Sequence, residues 1–230
     1  MAQLWKIRLP NGKTLTPGDW TSAEDLYSTV EIGTGSFPVL TAFSYGRGAS
    51  VPGSVAQRQS TFADTNLEGE GNRIPENEEL IAYSLAIEVF MIGAEDPQLD
   101  PSVPPSDAPD VSLLNMLRLQ RDILVITRIA AVKEYTRQPL GIFAAGTGVM
   151  QYNSAAINAV TGDPYVAGNN GGVSVCDSRQ MASPLYVAGG EGLAVDVKPG
   201  PGQVNNLNLT AGSRMRLRLF FEGYRRRPVA

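Results

Sequence analysis

The sequence predicts an all-β protein, an antiparallel β-sandwich with one or two short helices confined to its loops. Three observations carry that expectation. Residues 80–92, LIAYSLAIEVFMI, put Ile81, Tyr83, Leu85, Ile87, Val89 and Met91 on one parity and Ala82, Ser84, Ala86, Glu88 and Phe90 on the other. Such alternation marks a strand with one apolar face and one smaller, more polar face. Residues 214–219, RMRLRL, alternate as cleanly, with arginine on one face. The chain also holds 24 glycines and 16 prolines in 230 residues, which suits a loop-rich β-fold better than a helical bundle.

At about 3.3 Å per residue the 80–92 strand would run roughly 40 Å, about twice the usual length, and it needs a partner as long. Residues 214–219 are the best candidate. A chain of this size buries a proper core as one large β-domain, taken here as 1–230. The net charge of −4 argues against a surface built to coat nucleic acid. Cys176 is the single cysteine, so no intrachain disulfide can form. The opening MAQLWKIRLPNGK lacks the apolar core of a signal peptide, and the most apolar window carries Glu88 and is too short to span a bilayer as a helix. The expectation is a soluble protein made in a cytoplasm. There is no histidine at all. That removes Ser-His-Asp and Cys-His nucleophile systems, histidine metal sites and the usual base near neutral pH.

Taken in order, residues 3–8 alternate weakly and lead through Pro10-Asn11-Gly12-Lys13, a turn signal, into a second short strand at 13–15. In TSAEDLYSTV (21–30), Ser22, Asp25 and the flanking Trp20 and Leu26 resemble an N-cap with a hydrophobic staple, which predicts a helix of about two turns. FPVLTAFSY (37–45) reads as a strand, with Pro38 at its start as on an edge. Residues 45–77 are long, polar and without period, the mark of a functional, interfacial or disordered loop. After the long strand, residues 96–109 hold five prolines and read as an extended connector. Asp110 then caps VSLLNMLRLQR, a helix with Leu113, Leu114 and Leu117 in one stripe. Residues 123–135 are β-branched and apolar on both parities at their start, as in a central strand, with a single long helix from Asp110 as the alternative. Short strands follow at 139–143, 146–150, 184–188, 193–197 and 204–209, and the last strand covers 214–224.

Motifs with chemical meaning fail in detail. Asp64, Asn66 and Glu68 with Gly69 space oxygen ligands as a calcium loop does, but the twelfth position, where a bidentate carboxylate is required, is Pro75. Gly146-Thr-Gly148 lacks the third glycine of a dinucleotide turn. Gly12-Lys13-Thr14 lacks the earlier glycine of a phosphate loop, Ile7 standing there. Gly48-Ala-Ser50-Val-Pro52 breaks the nucleophile-elbow pattern at its last position. Glu78 and Glu79 would serve a sugar-cleaving pair if they converged in a cleft. No catalytic, cofactor or metal-binding set is assigned, and the expectation is a protein that is not an enzyme.

The arginines carry more weight. Arg214, Arg216 and Arg218 share one strand face, and Arg225, Arg226 and Arg227 open a basic tail, 225–230. Six arginines in fourteen residues of an acidic chain make a strong asymmetry. Two readings stand: a solvated strand face that discourages edge-to-edge aggregation, or contact with an anionic surface, whether a neighbouring subunit's carboxylates, nucleic acid or lipid head groups.

Long strands, long irregular connections, one helix within a loop and no enzymatic signature together resemble the jelly-roll capsid proteins of viruses and phages. The resemblance is architectural, spans roughly residues 25–224 and carries no functional residues over. It implies two facing four-stranded sheets, with the connector and helix at 96–121 as an insertion at one end. It further implies a subunit that associates with itself, in trimeric capsomers for instance, and with other virion proteins, in a virion assembled from protein made in the host cytoplasm. Two other readings are a carbohydrate- or receptor-binding β-sandwich, which exposed aromatics such as Trp5, Trp20, Tyr165 and Tyr186 on one surface would favour, and a histidine-free carboxylate hydrolase.

Overall fold

A computed structural model describes residues 7–8, 12, 14–15, 26–33, 37–54, 57–68, 73–92, 119–130, 133–143, 150–157, 164–169, 180–200 and 214–226. The described strands are β1 (Ile7–Arg8), β2 (Thr14–Leu15), β3 (Leu26–Ile32), β4 (Leu40–Ala42), β5 (Glu79–Ile92), β6 (Ile123–Ile129), β7 (Lys133–Pro139), β8 (Met150–Ile157), β9 (Pro164–Asn169), β10 (Gln180–Val187), β11 (Leu193–Pro199) and β12 (Arg214–Arg226). β1–β2 and β8–β9 are two-stranded hairpins. The other eight form two four-stranded sheets, ordered β10-β5-β12-β3 and β4-β11-β6-β7, with every pairing antiparallel.

Numbered 1 to 8 along the chain, these strands pair first with eighth (β3–β12), second with seventh (β4–β11), third with sixth (β5–β10) and fourth with fifth (β6–β7). The chain is thus a long double ribbon folded back on itself and rolled into two sheets, which is the jelly-roll arrangement. One continuous core lies between the sheets, with Val30, Leu85, Ile87, Leu217, Leu219 and Phe221 from one and Val125, Val195 and Val197 from the other. The rings of Phe43 and Phe221 meet across it at 5.1 Å.

The two long strands pair as their sequences require, from Arg214 opposite Ile92 to Arg226 opposite Glu79. Their alternation is not continuous, however. Glu222 pairs with Ser84 and Gly223 with Ala82, so Tyr83 is an extra residue that shifts the phase of β5. Beyond it Leu85, Ile87 and Val89 face the core; before it Leu80 and Ala82 do, and Ile81 does not. Gly223 permits the slip, because a Cβ there would lie 1.9 Å from the carbonyl oxygen of Ile81.

Several expectations change on contact with the structure. The helix expected in 21–30 is replaced from Leu26 onward by β3. In LYSTVEI, Leu26, Ser28, Val30 and Ile32 alternate inward, and pairing with β12 overrides the local cap signal. The strand expected over 37–45 shrinks to Leu40–Ala42, since the buried Phe43 takes a φ of 60° and breaks the ladder. The stretch expected as one strand over 123–135 holds two, β6 ending at Ile129 and β7 beginning at Lys133, with Ala130 at φ 51°. The apolar residues on both parities arise because Ile126, on the outer face, is buried too. Residues 139–143 are not a strand: Leu140–Phe143 form a 3-10 turn whose first and last side chains are buried together. Residues 119–122, at the end of the stretch expected as a helix after Asp110, are helical. The proline-rich stretch 96–109, most of that helix and the strand expected at 204–209 lie outside the described residues.

Candidate functional site

The arginine face expected from sequence exists and lies on the outside of the β10-β5-β12-β3 sheet. Core-facing Met215, Leu217 and Leu219 leave Arg214, Arg216 and Arg218 on the opposite face of β12. Each of these is within ion-pair distance of a carboxylate of its own chain. Glu31 on β3, opposite Arg216 in the register, takes Arg216 at 2.9 Å and Arg214 at 3.2 Å. Arg218 stands opposite Glu88 at 3.6 Å and donates to the carbonyl of Ala63 at 3.0 Å.

Arg225 and Arg226 point to opposite sides of the sheet and take up Glu78 and Glu79 respectively. Arg226 pairs with Glu79 in register, and Tyr186 donates to the same carboxylate at 3.2 Å. Arg225 falls on the inward phase beside Leu80, is 1% exposed, and bonds Glu78 at 2.5 Å. Removing one partner of such a pair strands a buried charge, at a cost of about 3–5 kcal/mol. Glu78 and Glu79 therefore do not converge. Arg227 and the tail beyond it lie outside the described residues.

What the sequence did not disclose is the loop laid along β3. Residues 43–54 and 57–68, which follow β4, supply partners to that edge strand, whose outward N–H groups recur at every second residue. The amide of Tyr27 donates to Asn66 Oδ1 (3.0 Å), that of Thr29 to the Tyr45 hydroxyl (3.1 Å) and that of Glu31 to the carbonyl of Pro52 (2.9 Å). The Tyr45 hydroxyl in turn donates to the Thr29 carbonyl, and Thr65 donates to that of Tyr27. The loop stands in for a fifth strand. Gly53 lets it approach, with φ at +79° and no room for a Cβ, which would lie 1.9 Å from the Glu31 carbonyl oxygen.

Charge locks this arrangement. Arg58, from the loop, bonds Glu31 at 2.7 Å and both oxygens of Asp64 at 2.7 and 2.8 Å. Glu31 and Asp64 are 2% and 1% exposed. Burial pushes both carboxyls up, but the hydrogen bonds and charge of Arg58, joined by Arg216 at Glu31 and by Thr61 at Asp64, outweigh it. Glu31 ends below its ordinary range and Asp64 at about 2. Hydrogen bonding to Asp64, against the cost of burial, raises Arg58. The oxygens that mimic a calcium loop are each engaged elsewhere: Asp64 by Arg58 and Thr61, Asn66 by the Tyr27 amide, Glu68 by Arg47.

Below the ion cluster the same face turns aromatic. Tyr27 stands opposite Phe220 in the register, with ring centroids 6.3 Å apart, and meets Phe62 edge to face at 6.1 Å. The Arg47 guanidinium lies 6.0 Å from the Phe62 ring centre. Phe62 is 66% exposed, the most exposed large apolar side chain among the described residues. Of the aromatics named for a carbohydrate surface, Tyr186 is half-buried against Glu79, while Trp5, Trp20 and the side chain of Tyr165 lie outside the described residues. Among the described residues no helix is long and apolar enough to cross a membrane, and no group of three or more cysteine, aspartate or glutamate side chains is placed to hold a metal ion. No family model and no curated protein matches the sequence.

Proposed function

We propose that this chain is a structural assembly protein, a capsid subunit of a virus or phage that packs with copies of itself into a shell. The observation that carries the reading is the strand order, in which first pairs with eighth, second with seventh, third with sixth and fourth with fifth. Viral capsid proteins share that order with lectin-like and cupin domains, and function has to be argued from sites rather than from the fold. A chain without histidine lacks the side chain on which neutral-pH base and metal chemistry most often rests. The reading assigns it no reaction, cofactor or metal.

Self-association in this reading runs through loops and sheet faces. β3 is covered by the 43–68 loop, β4 is three residues long, β10 carries Pro184 and a register shift, and β7 combines a register shift with Lys133, Glu134, Arg137 and Pro139. Such features protect edges against strand addition. Partners for the tail at 225–230 are neighbouring subunits, nucleic acid or lipid head groups, and the place of action is the virion, after synthesis in the host cytoplasm.

The test is the mass of the purified protein in solution by light scattering, with electron micrographs of the same material. Trimers or larger symmetric particles are expected. A monomer at every concentration, above all one that binds glycans, overturns the reading.

A further inference from the structure

We propose that the outer edge of β3 is a latent pairing surface for the β3 of a second copy of this chain, kept closed in the single chain by the loop laid along it. The two strands run antiparallel about a twofold axis at Thr29 and join two sheets into one. The inference goes beyond the shell reading and does not depend on it.

Among the described edges, β3 is the one whose own sequence does nothing to refuse a partner. β4 is short, and β10 and β7 carry prolines and register shifts. LYSTVEI holds no proline, lysine or arginine and pairs with β12 in unbroken register. Such an edge is a template for another strand once it is uncovered. The loop covers it mostly with side chains. Asn66, Tyr45 and Thr65 meet the backbone of Tyr27 and Thr29, and Pro52 gives a backbone carbonyl to the Glu31 amide. The fit is imperfect. With the loop in place Thr29 has no exposure, and its Oγ1 finds no hydrogen-bond partner; neither does the buried Nε of Arg58. Buried polar groups left unmet oppose closure.

The charges part along the same line. Arg58 and Asp64 both belong to the loop and bond each other at 2.7 and 2.8 Å, while Glu31 on the strand keeps Arg214 and Arg216 of β12. Within this cluster the Arg58–Glu31 pair is what crosses from loop to strand. The loop can therefore lift away without stranding a buried charge on either side.

The strand is complementary to itself, which makes a second copy the occupant. Thr29 is the middle residue of Leu26–Ile32. With the twofold there, Thr29 stands opposite Thr29 and Tyr27 opposite Glu31 of the second copy. The outward amides and carbonyls of 27, 29 and 31 then meet one another as an antiparallel ladder. Two threonines directly opposite are a favourable cross-strand pair that bonds through the hydroxyls, so Thr29 Oγ1 gains the partner it lacks. A twofold contact uses the same surface on both copies and closes at the dimer.

Gly53→Ala opens the loop without touching β3 or any charge, since a Cβ there would lie 1.9 Å from the Glu31 carbonyl oxygen, at a φ of +79°. Sedimentation across a concentration series, with hydrogen exchange read at Tyr27, Thr29 and Glu31, compares it with the wild type and with Gly53→Ala/Thr29→Pro. Gly53→Ala should dimerise at least about tenfold more tightly than the wild type, because a closed loop taxes the apparent affinity. Its three amides should be protected in the dimer and exchange in the monomer. The Thr29 amide points away from β12, so Thr29→Pro spares that ladder and should return the protein to monomer. A Gly53→Ala protein that is monomeric at every concentration, or one that dimerises equally well with Thr29→Pro, overturns the inference. Should Gly53→Ala melt too early to be read, Asn66→Ala, which withdraws the acceptor of the Tyr27 amide, takes its place with the same outcomes. Wild-type particles of many subunits, present or absent, decide the shell reading alone.

Discussion

Glu31 and Asp64 are nearly out of water, and three guanidiniums hold them ionised. Burial by itself raises both carboxyls; the arginine hydrogen bonds and charge outweigh it. Because both carboxyls titrate lower in the folded chain than in the unfolded one, their contribution is complete above the ordinary carboxylate range. It is lost as the pH falls from about 4 towards the folded value of Asp64, about 2. For Asp64 the shift from 3.8 to about 2 corresponds to about 2 kcal/mol. Thermal melts from neutral pH to about pH 2 should show the wild type falling steeply below pH 4. Asp64→Asn should start less stable at neutral pH by a similar amount and fall less steeply, so that the two curves converge in acid. Parallel curves would mean that Asp64 is not what ties the loop to the sheet in acid-sensitive fashion.

Among the elements, the weak point of any open sheet is its edge, and here the first strand of the sandwich has its edge filled by side chains and turns. Tyr45 makes two of these bonds, since one hydroxyl serves both the amide and the carbonyl of Thr29, a residue with no exposure. Tyr45→Phe should keep the ring's packing and leave two buried backbone groups unmet, at a cost of about 1–3 kcal/mol. The urea midpoint should drop with an unchanged slope, and the variant should aggregate at concentrations the wild type tolerates; an unmoved midpoint would show that water replaces the hydroxyl without loss. The same strand marks the limit of what could be read beforehand. β5 and β12 were legible because their alternation is local and long. β3 was not, because Ser22 and Asp25 imitate a helix start while what makes LYSTVEI a strand is β12, nearly the whole chain away. The slip at Tyr83 was hidden for a like reason: it depends on Gly223 lying against Ile81. Of the candidate site, the arginine face could be read from RMRLRL, but its counter-charges could not. Glu31 lies just past the 21–30 stretch that reads as helix, and Arg58 and Asp64 are in a loop whose path only the folded chain defines.

At the scale of the molecule, the pairing is nested, and nesting dictates an order of assembly. Within the two four-stranded sheets only β6–β7 pairs strands that are neighbours in sequence, with Ile129 opposite Lys133. β5–β10 encloses that hairpin, β4–β11 encloses both, and β3–β12 encloses everything, with Val30 opposite Leu217. Closing the outermost pair first would fix most of the chain in one loop for a single ladder, whereas closing from inside leaves each new pair only the segments between successive strands to close. Contacts so distant in sequence place folding in the millisecond-to-second range of all-β domains. They also predict where the barrier lies. Val125→Ala in β6 removes core packing made early and should slow refolding, while Val30→Ala in β3 removes packing made last and should mainly speed unfolding. Stopped-flow chevrons of the two variants, each destabilised by about 1–2 kcal/mol or more, separate the cases. If Val30→Ala slows refolding as much as Val125→Ala does, the two ends of the ribbon meet before its middle closes, and the nested order does not govern how this sandwich forms.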